Sequence, residues 1–421
     1  MVAFLAASLT AGRVQEATSL RTLMNKLMVP QGEFVLLTSK STQTASARAW
    51  DAADEYLLQQ VFELGELKGS ILLLNDRCGA LAVALAAAPL SSLSDSYVSQ
   101  LVTTENLDRN SIADDQVRLL GSLDVVPNRL DYVFIKVPKT LALLEDQLLR
   151  LAPSVHSGTV ILAAGMTKHI HRSTLALFER IFGTTTTSLA RKKARLIFVS
   201  PEHVATEQGT SKVAPLPASS FTLEPGHLKV RSYPGVFSAE RLDIGTSFFI
   251  DNLPDQAGQI RIIDLGCGNG VVGLVLALDN PDADVMFVDE SYLAVASAEL
   301  TVQSNLDLHG QCEFVVGDSL GSLRDHPSIA DSSIDLIFTN PPFHDDHALS
   351  DATAWQMFQD AHRVLRSNGQ LWVIGNRHLA YHAKLKRIFG NCDVIGSNSK
   401  FVVFRATRKP AAVQHKADDF S

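Results

Sequence analysis

The chain repeats one pattern of apolar runs and turns, and this repeat limits its possible folds more than any other feature. Residues 71–86, ILLLNDRCGALAVALA, parallel residues 262–277, IIDLGCGNGVVGLVLA. Residues 130–165 parallel residues 334–376 in the same order of apolar runs. Short apolar runs that alternate with helical segments are typical of βαβ units in a doubly wound parallel sheet. The sequence therefore predicts an α/β fold with two tandem doubly wound domains that arose by duplication.

The domain boundaries follow from length and from local composition. The 421 residues exceed what one hydrophobic core usually holds, so two domains are expected. Residues 201–226 are rich in Pro, Ser, Thr and Gly and have no hydrophobic period, which is typical of a connection between domains. We therefore predict domains at 1–200 and 227–421, joined by a linker at 201–226.

Composition limits the compartment and the partners. The four cysteines have no disulfide or zinc-ligand spacing, and no apolar run approaches membrane-spanning length. The N-terminal apolar patch has no basic region before it, so we do not expect a signal peptide. These features favour a cytoplasmic protein with no membrane partner and no metal site, and we expect it to be a monomer.

The net charge of −8 is unevenly divided between the two halves. Residues 1–200 carry 20 Lys and Arg against 18 Asp and Glu, and residues 201–421 carry 17 against 27. Overall charge therefore gives no support for nucleic-acid binding, although local patches can still bind RNA. The basic clusters at 191–195 and 384–387 are candidates, although such a cluster taken alone is more often a solvated surface run.

Polar residues at the strand ends distinguish the second copy from the first. Asp264, Gly266, Gly268 and Asn340 of the second copy align with Leu73, Asn75, Arg77 and Lys136 of the first, and Gly270 aligns with Gly79. We therefore expect the first copy to keep the fold and to lack the polar site, because function depends on the site and not on the fold.

A glycine-rich turn between a predicted strand and a predicted helix indicates a nucleotide-like ligand. Glycine at 266, 268, 270 and 273 allows close approach of the backbone to a ligand. Asp289 ends the next strand, where a carboxylate can accept hydrogen bonds from ribose hydroxyls. The spacing also satisfies GxGxxG, so a dinucleotide dehydrogenase is a competing interpretation.

The segment FTNPPFHDDH at 338–347 fixes a rigid corner where a fourth apolar run ends. Proline has no N–H and ends a strand, so the corner is either a simple turn or a grip for a planar group. Asp264 suits a cationic or amine-bearing ligand, and Asp318 is placed to accept from an adenine amine. His344 and His347 form an HxxH pair with no evident third ligand, so we interpret them as loop residues at the entrance.

With these features in place, residues 227–421 resemble the class I S-adenosylmethionine-dependent methyltransferases that act on exocyclic nitrogens. The resemblance implies that Asp289 binds the ribose of S-adenosyl-L-methionine, that Asp318 binds its adenine, and that Asn340 and Pro341 accept hydrogen bonds from the target amine. It implies stacking of Phe343 on the base. The remaining implied site residues are Asp264, Gly266, Gly268, Gly270 and Pro342.

The resemblance extends over nearly the whole chain. The segments GVFSAERLDIGTSFFI, DLGCGNGVVGL, NPPFHDDHAL, NRHLAYHAKLKRIFGNC and AWDAADEYLLQQ are similar to the bacterial guanine-N2 methyltransferases of large-subunit ribosomal RNA, type G. This similarity implies ribosomal RNA, naked or in a partly assembled subunit, as substrate, and a first domain that binds RNA or is structural. The alternatives are the small-subunit guanine-N2 enzymes, an adenine-N6 or glutamine-N5 methyltransferase, and a non-catalytic RNA-binding protein.

Overall fold

The computed structural model describes residues 25–38, 48–202, 219–224, 226–255, 258–305, 311–342 and 347–410, with side chains from residue 351 onward in the last range. Its residues divide into two compact units, Met1–Pro217 and Ala218–Ser421. Phe343, His344, the side chain of His347 and the N-terminal apolar patch lie outside the described residues.

The first unit contains nine strands and five α-helices among its described residues. They are β1 (Lys26–Val29), β2 (Gly32–Val35), α1 (Ala52–Glu63), β3 (Ile71–Leu74), α2 (Ala80–Leu85), β4 (Leu90–Leu93), α3 (Tyr97–Arg109), β5 (Val117–Leu120), β6 (Leu130–Lys136), α4 (Leu141–Leu151), β7 (Val155–Met166), α5 (Arg172–Ile181), β8 (Thr185–Thr187) and β9 (Ala194–Val199).

The second unit follows the same order after an initial hairpin. Its described elements are β10 (Ser219–Leu223), β11 (Leu228–Ser232), α6 (Ile244–Ile250), β12 (Arg261–Leu265), α7 (Val271–Asp279), β13 (Asp284–Asp289), α8 (Tyr292–Gln303), β14 (Cys312–Val316), β15 (Ile334–Thr339), α9 (His347–Val364), β16 (Leu365–Asn376), α10 (Tyr381–Phe389), β17 (Asp393–Ser397) and β18 (Phe401–Thr407).

Each unit is built on one seven-stranded sheet, and the two strand orders are equivalent. The orders are β5-β4-β3-β6-β7-β9-β8 and β14-β13-β12-β15-β16-β18-β17. The α/β prediction is confirmed, but neither sheet is wholly parallel, since β9 and β18 each run antiparallel to both neighbours. Only residues 398–400 join β17 to β18, which is too short for the crossover that a parallel pair requires.

The two copies match in pairing register, residue by residue. Leu73 pairs with Phe134 in the first sheet, and the aligned Asp264 pairs with Phe338 in the second. The irregularity between Leu130 and Tyr132 recurs between Ile334 and Leu336, the aligned positions. Register is set by many side-chain contacts, so agreement at this level supports duplication of one unit.

The helices cover both faces of each sheet. In β12 and β13, Ile262 and Val285 belong to the apolar cluster on one face, and Ile263 and Met286 belong to the cluster on the other. Successive strand residues point to opposite faces, so both faces of these strands are buried. The apolar runs seen in the sequence reflect this double burial.

Two boundaries differ from the sequence prediction. Residues 219–223 of the expected linker form β10, whose Phe221 and Leu223 pack against the core, while residues 203–218 lie outside the described residues. The segment 352–369, ATAWQMFQDAHRVLRSNG, predicts a helix ended by Gly369, but α9 ends at Val364 and Gly369 lies within β16. The backbone carbonyl of Ile334 would lie only 3.0 Å from a Cβ at position 369, so that glycine serves strand packing.

Candidate active site

The turn between β12 and α7 is shaped by glycines with different physical roles. Gly270 is the left-handed N-cap of α7, with φ 77°, and a Cβ there would lie 2.7 Å from Cα of Ala298. A Cβ at Gly273 would lie 2.2 Å from the ring of Phe287. These two glycines therefore allow helix packing. By contrast, a Cβ at Gly268 would meet no atom of the described residues within 4 Å, so in this part of the chain the backbone there borders open space.

Asp289, at the end of β13, is tied to the glycine turn. One carboxylate oxygen accepts a hydrogen bond from the Gly268 N–H at 3.0 Å, and the other accepts from the Ser291 N–H at 3.0 Å. Desolvation raises the pKa of Asp289 above its ordinary value, although these backbone donors act in the opposite direction. The Glu290 N–H is a third backbone donor to this carboxylate, which has about four acceptor sites, so Asp289 can still accept from a ligand hydroxyl.

Asp264 is buried at the end of β12 and has a structural contact that the sequence does not reveal. Its Oδ2 accepts a hydrogen bond from the Gly273 N–H at 2.8 Å, which satisfies a free donor in the first turn of α7. Desolvation raises the pKa of Asp264 to about 7. A nearby ammonium group would favour the ionised form of this carboxyl.

Asp318 follows β14 at the same edge of the sheet. Its backbone N–H donates to the Ser322 hydroxyl at 2.8 Å, and Gly317 before it donates to the Asp289 carbonyl at 2.9 Å. The ends of β12, β13 and β14 therefore bring together the three acids identified in the sequence, because carboxyl ends of parallel strands meet at one edge.

Asn340 stands directly after β15, the strand next to β12. Its Nδ2 donates to the Thr246 hydroxyl oxygen at 3.3 Å, whereas its Oδ1 is buried and has no hydrogen-bond partner among the described residues. A buried acceptor without a partner is costly and is expected where a ligand supplies the donor. Pro341 is buried and Pro342 is half-buried, so the corner is packed.

Three residues at this edge were not assigned a role from the sequence. Thr246, in the first turn of α6, contacts Asn340. Asn269 donates to the Ser238 carbonyl at 3.2 Å and so ties the segment before α6 to the glycine turn. Asn376, at the end of β16, has a buried Oδ1 with no partner in the described part of the chain. The sequence signal that could have drawn attention to Thr246 is the helix-start pattern around Asp243 in the segment GVFSAERLDIGTSFFI.

The aligned position in the first copy is filled by an ion-pair cluster. Lys136 Nζ lies 2.7 Å from Asp54 and 2.8 Å from Asp51, and Asp54 is buried. Desolvation lowers and the two carboxylates raise the pKa of Lys136, with a net rise. Asn75, which aligns with Gly266, exchanges two hydrogen bonds with Gln147, of 2.8 and 2.9 Å. At the positions aligned with Asn340 and Gly266, the polar groups of the first copy therefore satisfy one another.

The basic cluster at 191–195 is partly engaged within the first unit. The Arg191 guanidinium lies 5.0 Å from the centre of the Tyr56 ring, and Lys192 pairs with Glu55 at 2.7 Å. Lys193 is exposed in the turn between β8 and β9. A role of this cluster in RNA binding stays a prediction.

Within the described ranges, no group of three or more His, Cys, Asp or Glu side chains is arranged to hold a metal ion. None of the described helices combines the length and the apolarity needed to cross a bilayer.

The comparisons with known proteins agree with this architecture. Residues 24–203 match the RLMG N-terminal domain model, and residues 227–405 match the methyltransferase small domain model. A solved T. thermophilus 16S rRNA N2 methyltransferase, in complex with AdoMet and guanosine, aligns with TM-score 0.69 and 20% identity, over 91% of this chain and 97% of that one. At that identity the likeness shows the fold.

The strand order and the residues at the strand ends define the second unit as a methyltransferase domain of the class I fold. The curated relatives identify the family. Ribosomal RNA large subunit methyltransferase G of Streptomyces griseus is 48% identical over 404 residues, 92% of this chain and 100% of the relative. The Klebsiella pneumoniae (strain 342) enzyme of that name is 47% identical over 374 residues, 87% and 94% of the two chains. The chain belongs to the ribosomal RNA large subunit methyltransferase G family.

Proposed function

We propose that the second unit transfers a methyl group from S-adenosyl-L-methionine to the exocyclic N2 amine of a guanosine in large-subunit ribosomal RNA. The observation that carries this proposal is the buried Oδ1 of Asn340 at the strand-end corner, which has no hydrogen-bond partner among the described residues. An amine N–H of the base is a donor that would satisfy it. The family membership supports large-subunit RNA as the substrate class.

The residues at the strand ends fit S-adenosyl-L-methionine. The open space beside Gly268 leaves room for a ligand against the backbone of the turn. Asp289 would accept from the ribose hydroxyls, Asp318 from the adenine amine, and Asp264 would favour the amino group of the methionine end through its negative charge. When bound, this cofactor supplies a methyl group on a positively charged sulfur.

The corner would orient the target amine. An exocyclic amine conjugated with a base is a weak nucleophile, so alignment of its lone pair carries much of the rate. Asn340 Oδ1 and the Pro341 carbonyl would accept the two amine N–H groups and fix that alignment. No strong base is required in this scheme, because the methylated amine loses its proton readily. Phe343, at the position after the two prolines, would stack on the base.

The first unit is proposed as a degenerate copy with a structural or RNA-binding role. It has Leu73, Ser94, Leu123 and Lys136 at the positions aligned with Asp264, Asp289, Asp318 and Asn340. We propose further that the protein acts as a monomer in the cytoplasm. The four cysteines are free thiols, which suits a reducing compartment.

The proposal is tested with full-length protein, S-adenosylmethionine and large-subunit RNA from cells that lack the enzyme. Naked RNA and partly assembled subunits form two arms, and small-subunit RNA forms a third. We expect N2-methylguanosine in nucleosides from the large-subunit RNA, measured by mass spectrometry. N2-methylguanosine in small-subunit RNA alone, or N6-methyladenosine, would overturn the assignment in favour of one of the competing methyltransferases.

A further inference from the structure

We propose that Thr246 is a positioning residue that holds the Asn340 amide in the place where its oxygen meets the substrate. This inference rests on the proposed function, because it concerns the same amine. The Thr246 hydroxyl accepts from Asn340 Nδ2 at 3.3 Å and leaves Oδ1 as the buried atom without a partner among the described residues.

The orientation of the amide matters because the two possible orientations have opposite chemistry. With Nδ2 on Thr246, Asn340 presents an acceptor, which matches the N–H groups of an amine. With the amide turned over, Nδ2 would face those N–H groups, and donor would meet donor. The Thr246 hydroxyl can accept from Nδ2 or donate to Oδ1, so it holds the amide in place, and the N–H groups of the amine select the orientation that presents Oδ1.

Thr246 is itself held firmly at the start of α6. The carboxylate of Asp243 accepts from the N–H groups of Gly245 at 2.8 Å and Thr246 at 3.1 Å. A Cβ at Gly245 would lie 3.0 Å from the Phe401 ring, so the first turn packs closely against β18. The Thr246 side chain is buried. Its hydroxyl is consequently a fixed reference point for the Asn340 amide.

The first copy provides independent support for this pairing. There Asp51 caps α1 by accepting from the N–H groups of Ala53 at 2.8 Å and Asp54 at 3.3 Å, the same arrangement as Asp243 with Gly245 and Thr246. Asp54 then contacts Lys136, which aligns with Asn340. Both residues of the pair differ between the copies, while the contact between helix start and strand end is kept.

The test measures transfer of a tritiated methyl group from S-adenosylmethionine to total ribosomal RNA. The proteins compared are full-length Thr246→Val, Thr246→Ser and wild type. We expect Thr246→Val to lower kcat about tenfold, as for the loss of one hydrogen bond, with little change in KM. Thr246→Ser retains the hydroxyl and should restore most of kcat. Thr301→Val is the matched control, since it removes a buried threonine hydroxyl that exchanges two 3.0 Å hydrogen bonds with Arg231 in the same unit.

A double-mutant cycle with Asn340→Ala separates positioning from a general structural effect. If Thr246 acts through Asn340, Thr246→Val should have no further effect on kcat in the Asn340→Ala background. A wild-type kcat for Thr246→Val, or a fully additive effect in that background, would overturn the inference. Because total incorporation is counted, a methylated nucleoside other than N2-methylguanosine in the wild-type reaction would contradict the proposed function without changing the Thr246 comparison.

Discussion

The two halves of this molecule have one backbone plan and opposite ways of satisfying their polar groups. At the end of β6, the first copy buries Lys136 against Asp54, and Asn75 binds Gln147. At the aligned corner of the second copy, Asn340 Oδ1 is buried without a partner in the described structure. A satisfied network stabilises a fold, whereas an unsatisfied buried atom indicates a place for a ligand.

Backbone contacts persist through the changes in side chains. The Asn75 N–H donates to the Leu93 carbonyl at 2.9 Å, as the Gly266 N–H donates to the Val288 carbonyl at 2.8 Å. Asp76 accepts from the Ala82 N–H at 2.8 Å, as Asp264 accepts from the Gly273 N–H. The acid that accepts from the N–H group at the helix start therefore lies in strand β12 in the second copy, as Asp264, and in the turn after β3 in the first copy, as Asp76. The comparison separates residues that maintain the fold from residues available for chemistry.

The largest expected effect concerns the stability of the first copy. Lys136→Met would leave the buried Asp54 carboxylate without its partner, so we expect the first unit to lose about 3–5 kcal/mol of unfolding free energy. The measurement is hydrogen exchange of first-unit peptides in full-length protein across a urea series. Arg180→Met, which removes an exposed pair with Glu145, is the control and should lose less than about 1 kcal/mol. Equal losses of unfolding free energy for both variants would show that the Lys136–Asp54 pair contributes no more than an exposed ion pair.

The next prediction compares Asp289, the proposed ribose-binding acid, with Ser94, the aligned residue of the first copy. Asp289→Ala should weaken S-adenosylmethionine binding by about 1.5–3 kcal/mol, the range for a hydrogen-bonded charged group. Ser94→Ala, at the aligned position of the first copy, removes an acceptor for the Ser96 N–H and should leave cofactor affinity unchanged. Calorimetry on the full-length variants measures both affinities. Normal binding by Asp289→Ala, or binding of NADH in place of S-adenosylmethionine, would refute the cofactor assignment.

The smallest effect is a difference in pH dependence between two buried acids. Burial raises the pKa values of Asp264 and Asp76 to about 7, so each folded copy holds a proton that the unfolded chain has already released. The stability contribution of each acid should therefore fall as pH rises from about 4 to 7 and stay constant above that. A cationic ligand group near Asp264 would favour the ionised acid, so cofactor affinity should rise by up to about tenfold per pH unit below 7.

Substitution separates the two acids. Asp264→Asn should flatten the pH dependence of cofactor affinity, whereas Asp76→Asn should alter only the pH dependence of stability. Titration calorimetry and urea unfolding between pH 5 and 8 would measure the two quantities. A flattened affinity profile for Asp76→Asn would mean that the first copy takes part in cofactor binding.

Much of the fold was readable in the sequence because it depends on local patterns. The apolar runs and the glycine turn predicted the parallel strands, and the duplicated order predicted two similar units. The antiparallel β17 was missed because its five residues, DVIGS, are mostly exposed and form no apolar run. Phe343 stays a prediction, since it lies outside the described residues.

The site was only partly predictable for a related reason. Asp264, Asp289 and Asn340 were identified because each directly ends or follows an apolar run. Thr246 lies 94 residues before Asn340 and meets it only through the packing of α6 against the sheet, so its partner cannot be read from spacing. The structural bond of Asp264 to Gly273 was equally hidden, because it depends on the path of the turn.

The central claim is that the chemistry belongs to the second copy alone, and one comparison of methyl transfer tests it most directly. Full-length Asn340→Ala should lose at least about 100-fold in kcat on large-subunit RNA while it binds S-adenosylmethionine normally, because Asn340 orients the amine. The double variant Asp54→Thr with Lys136→Asn, which gives the first copy the residues of the second, should transfer methyl groups at the wild-type rate. Wild-type turnover by Asn340→Ala, or loss of turnover by a folded double variant, would contradict the account.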